Sequence, residues 1–75
     1  MSLYDKVVNV SKPYLGPATE QFLSRQCKTH LKLAEPAQLM SANLKDLGKW
    51  VENSGSLVMD APKAAELARK IVALT

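Results

Sequence analysis

Cys27 and His30 lie three residues apart, a spacing that makes two side chains neighbours on a helix. A thiol beside an imidazole is the minimum for a thiolate and its base. The same spacing serves plain packing, because a free cysteine behaves as a small hydrophobe and a neighbouring histidine needs only a hydrogen-bond partner. No strong third partner is visible, and a flat helix face makes no pocket, so packing accounts for both and no catalytic residue is assigned. Structural zinc takes about four ligands, usually Cys or His, and the chain has one of each, so neither a metal site nor a cofactor is expected. Asp46, Glu52, Asp60 and Glu66 show no paired spacing for acid and base work, and Gly16 and Gly48 belong to no phosphate-binding loop. A chain of 75 residues also offers little concave volume for a site, which points away from an enzyme.

Gln26 and His30, four residues apart, fall with Thr19 into the apolar arc of the same segment. Two explanations fit: the arc is wider than the true core and they lie at its margin, or they occupy a seam where water or another chain supplies their hydrogen bonds. Polar residues in an otherwise apolar interface can fix register and partner number. Arg25, Lys28 and Lys32 make a basic stripe on the outer face, either solvated or touching phosphate. Base readout would want a helix-turn-helix, and the segment from Gly55 to Asp60 is too long for its turn. Tyr4, Tyr14, Phe22 and Trp50 are too scattered to form a stacking platform.

The chain has the length of one domain, residues 1–75, with ten bases against seven acids and a formal charge of +3. That balance reads as solubility before nucleic-acid binding. One cysteine excludes an internal disulfide. A core this small contributes about 3 to 5 kcal/mol, and of the usual supports for such domains, disulfide, metal or partner chain, association remains. The absence of cysteine pairs and of a signal peptide in MSLYDKVVNV favours a cytoplasmic location. No apolar run approaches the roughly 20 residues of a membrane span.

The elements that must position these residues are helices. Ser2 can cap a first helix carrying Leu3, Tyr4, Val7, Val8 and Val10; the β-branched run Val7–Val10 would also suit a short strand, but a lone strand lacks a partner. Pro13 predicts a stop near Ser11, and Gly16-Pro17 opens a second helix, roughly Pro17 to Leu31, with Phe22, Leu23, Cys27 and Leu31 inward. Glu35-Pro36 either ends that helix or starts a short turn through Leu39. Ser41 is a credible cap for a third helix, Ala42 to about Asn53, stopped by Ser54-Gly55, with Leu44, Leu47, Gly48 and Val51 on one face and Trp50 half covered beside it. A glycine at position 48 costs about 1 kcal/mol against alanine and implies close approach of another helix. Asp60 caps a final helix with Ala64, Leu67, Ala68, Ile71 and Val72 inward.

The string Tyr14-Leu15-Gly16-Pro17-Ala18, followed by Phe22-Leu23, Cys27 and His30-Leu31, resembles small bacterial all-helical modules with a Tyr-(Ile/Leu)-Gly-Pro-Ala turn. Leu44 to Val51 and Lys63 to Ala68 look similar to the same modules, which occur alone or beside signalling and regulatory domains. The resemblance implies an accessory or interaction role and carries no catalytic residue across.

The expected fold is all-α, a compact bundle of four main helices plus one short extra turn. The expected function is a non-enzymatic protein–protein interaction or accessory regulatory module, either a homo-oligomer or bound to a regulatory host protein. Its surface would use Phe22, Gln26, His30 and Trp50, with Tyr4 and Val8 adding apolar area. The alternative is a nucleic-acid-associated protein contacting phosphate through Arg25, Lys28 and Lys32.

Overall fold

In the computed structural model, which describes residues 2–74, Ser2 opens the first helix with a reciprocal cap. The Asp5 N–H donates to Ser2 Oγ at 3.1 Å and the Ser2 N–H donates to the Asp5 carboxylate at 3.3 Å. This helix, α1 (Leu3–Leu15), buries Val7, Val8 and Ser11, so the valine run is helical, and there is no strand among the described residues. The stop expected near Ser11 is not there. Pro13 lies in the last turn, and Tyr14 and Leu15 beyond it pack half-buried on the core. Burial there outweighs the local penalty of a proline. Lys70 Nζ also sits 5.2 Å above the Tyr14 ring, tying the end of α1 to the last helix. Gly16, at φ +60°, ends α1, a conformation that a Cβ would strain.

A 3-10 turn (Gly16–Ala18) leads into α2 (Thr19–Thr29), which is shorter than expected at both ends. Buried Thr19 donates its hydroxyl to the Gly16 carbonyl at 2.6 Å. Past His30 the chain leaves the helix, with Lys32 at φ +55°. Two more 3-10 turns follow, Pro36–Gln38 and Ser41–Asn43, so three such turns stand where one was expected. The Gln38 amide oxygen accepts the N–H groups of Ala34 and Glu35 at 3.0 and 3.3 Å, and Leu39 inserts into the core. Ser41 therefore heads a short turn, and the Met40 N–H is taken up by Asn43 Oδ1 at 2.9 Å.

The closest pairing joins α3 (Leu44–Gly55) and α4 (Ala61–Val72), an antiparallel hairpin. A Cβ on Gly48 would lie 2.7 Å from Val72 Cγ2 and 3.2 Å from the Ala68 carbonyl oxygen; one on Gly55 would lie 3.3 Å from Ala64 Cβ. Gly48 thus permits the close approach its position in the stripe implies. The helix ends at Gly55, where the sequence places its stop, but not through a left-handed glycine: Gly16 is the only described glycine with positive φ, and Gly55 packs on Ala64. Asp60 occupies the N-cap position of α4 through its backbone, whose carbonyl accepts the Ala64 N–H at 3.0 Å; its side chain makes no cap bond. Ala64, Leu67, Ala68 and Ile71 are buried, but Val72, expected inward, is 39% exposed at the helix end.

One buried cluster joins α1, α2 and the hairpin, through Val7, Leu23, Leu47 and Leu67 among others. Val8 belongs to it, so it offers no surface for association. Tyr4 is half-buried; its hydroxyl donates to the Glu20 carbonyl at 3.4 Å, and burial raises its pKa. The Ser11 hydroxyl is buried without a hydrogen-bond partner. Leaving such a group unpaired costs about 1 kcal/mol or more. Ser11→Ala is therefore expected to stabilise the fold by about 1 kcal/mol, read as a higher urea midpoint at unchanged slope; a fall in midpoint would show that the hydroxyl is bonded in solution.

Candidate functional site

The C-terminal half of α2 lies antiparallel to the C-terminal half of α3, and two side-chain contacts join them. Gln26 Oε1 accepts the Ser54 hydroxyl at 3.2 Å. One turn later on α2, and one turn earlier on α3, the His30 ring stacks on Trp50 with centroids 3.9 Å apart and planes 7° apart. Both pairs have the four-residue step that places side chains on one helix face. The sequence suggests the pairing of Gln26 with His30 along α2, but not their partners across the gap. Gln26 is only 3% exposed, so the hydrogen bond that burial demands is met at least in part within the chain.

Beside these contacts a groove of about 430 Å³ opens between α2 and the turn that follows α3. Phe22, Gln26 and His30 line one side, and Ser54, Leu57 and Val58 the other. Trp50, half-buried, does not line the groove and reaches it only through its stack on the His30 ring. Leu57 is 86% exposed and Val58 65% exposed, while Met59, next in the chain, packs half-buried against the core. The tripeptide Leu57-Val58-Met59 is apolar in the sequence, yet nothing local shows that its first two residues face solvent on the rim of a groove. The turn donates the N–H groups of Val58 and Met59 to the Gly55 carbonyl, at 3.0 and 2.9 Å, which holds the two side chains outward of the hairpin.

The basic residues do not form one stripe. Arg25 lines the groove and Lys28 is exposed on α2, but Lys32 lies beyond the helix end in left-handed backbone. A continuous row would have required α2 to reach Lys32; the helix ends at Thr29.

Cys27 and His30 belong to different surroundings. Cys27 is fully buried in the core cluster, and burial pushes its thiol pKa up; His30 lies on Trp50 at the groove. A thiol with a raised folded-state pKa favours the neutral form, so its contribution to stability is complete below the unfolded-chain pKa and is lost as pH rises through the folded one. The fold is thus expected to weaken at alkaline pH, and less so in Cys27→Ala. At neutral pH, alkylation of native Cys27 should run slower than in urea-unfolded chain by on the order of a hundredfold, since the thiol must be uncovered first. Equal rates would place the thiol at the surface.

Among the described residues, no group of three or more His, Cys, Asp or Glu is placed to hold a metal ion, and no helix is long and apolar enough to cross a membrane. Comparison of the chain with known protein families, with curated proteins and with solved structures finds no match.

Proposed function

We propose that this chain is a non-enzymatic interaction module that self-associates through the groove between α2 and the turn after α3. The observation that carries this reading is the placement of two exposed apolar side chains, Leu57 and Val58, on the rim of a groove whose other wall includes Phe22. Convex and concave apolar surface thus occur in one patch. A two-fold contact needs such self-complementarity, because each copy must present both the knob and the hole. Arg25 is the one permanently charged residue lining the groove, so little charge would be desolvated on closure. Burial of Cys27 with a raised pKa supports a packing role over a nucleophilic one. A small core that gains only a few kcal/mol would be stabilised further by association.

Sedimentation equilibrium into the high micromolar range tests this. A dimer is expected, little changed at about 0.5 M salt because the contact is apolar. Leu57→Asp with Val58→Asp should give a monomer of unaltered circular dichroism, since both side chains are exposed in the protomer. A strict monomer at high micromolar concentration rejects self-association. Salt-sensitive retention on DNA, lost in Arg25→Ala with Lys28→Ala, would replace this reading by phosphate binding.

A further inference from the structure

A second groove, of about 410 Å³, runs between α3 and α4 and shares no lining residue with the first. Its floor includes Gly48 and Ala68, both buried at the closest approach of the hairpin, with Val72 and Ala73 exposed beside them as its open apolar surface. Three cations stand around it, Lys45, Lys49 and Arg69, against one anion, Glu52. All four are exposed. Because Gly48 packs on Ala68 and Val72 while Gly55 packs on Ala64, the start of α3 lies beside the end of α4. The cations therefore gather with the apolar floor toward one end, and Glu52 marks the other.

We propose that this groove is a docking site for an acidic amphipathic helix of a partner protein, with one apolar side chain seated against Val72 and Ala73 and carboxylates within a turn of it facing Lys45, Lys49 and Arg69. Charge complementarity selects this occupant. A nucleic-acid backbone would meet the same cations but gains nothing from an apolar floor and finds no aromatic residue lining the groove for base stacking. A small amphiphile would remain largely in water in so open a trough, whereas ligand sites enclose most of their ligand. An acidic helix gains both apolar burial and opposite charge, and the single anion at the far end sets its direction by favouring a base there. This site is independent of the proposed self-association.

The test uses two synthetic acetylated peptides of about fifteen residues, long enough for four helical turns, with identical leucine positions flanked by glutamate in one and by lysine in the other. Each is titrated into the full chain and followed by amide chemical shifts, in wild type and in Leu57→Asp with Val58→Asp, where the first groove is disabled. The acidic peptide should shift Gly48, Ala68 and Val72 in both backgrounds and bind at least about tenfold more weakly at 0.5 M salt than at 0.05 M. Lys49→Glu with Arg69→Glu, both exposed positions, should abolish that binding and admit the lysine peptide instead. The proposal fails if neither peptide binds, if both bind alike, if the shifts fall on Phe22 and Leu57, or if a DNA oligonucleotide takes the groove while the acidic peptide does not.

Discussion

Gly48→Leu is expected to remove most of the folding free energy of the domain, whereas Gly48→Ala should be nearly neutral. Alanine gains about 1 kcal/mol of helix propensity over glycine. It spends that on displacing Val72 Cγ2, 2.7 Å from the new Cβ, but the Val72 side chain is 39% exposed and can turn toward solvent. Leucine has no such escape. The Cβ of either residue stands 3.2 Å from the Ala68 carbonyl oxygen, a contact that a shift of a few tenths of an ångström relieves for alanine, whereas the further atoms of leucine must push α3 and α4 apart. Overpacking of this kind costs about 3 kcal/mol, against a total of about 3 to 5 for a domain this size. Urea unfolding of the two variants checks both statements together. A Gly48→Leu protein as stable as wild type would mean that the helices are not in contact at this point.

Leu39→Ala should cost about 2 to 3 kcal/mol, the lower part of the range for truncating a buried leucine, because a loop can settle inward more readily than a helix. Leu39 is 5% exposed and is a fully inserted core residue of the connection between α2 and α3, to which Leu31 and Leu33 add half-buried contacts. Its loss should also release amide protection across residues 34–43, leaving the α3–α4 hairpin protected. Met40→Ala is the control. Met40 is 61% exposed, so its truncation should change stability by less than about 0.5 kcal/mol. Equal effects of the two substitutions would show that the connection is not anchored.

Much of the helical architecture is legible from neighbours along the chain. Ser2 and Asp5 are three residues apart and form their cap wherever the rest of the chain goes. The stripe Leu44, Leu47, Gly48 and Val51 announces a buried face and, through its glycine, a close neighbour. Pro13 misled because its penalty is local while its compensation, the packing of Tyr14 and Leu15, comes from residues far away in sequence. Gly55 is legible as the end of α3, yet nothing local shows that it also faces Ala64 across the hairpin.

The candidate surface divides in the same way. Phe22, Gln26 and His30 share a face of α2 by helical spacing alone, and that much follows from the order of residues. That Gln26 meets Ser54, that His30 lies on Trp50, and that Leu57 and Val58 stand exposed across a groove from Phe22 depend on how α2 docks against α3. Docking is chosen by the total apolar burial of several helices at once, so no short window of sequence contains it. The sequence by itself determined which stretches become helices, to within about a turn at their ends, and most of the side chains each helix turns inward; only the tertiary structure decided which side chains from separate helices meet, because those contacts form where the faces close on one another.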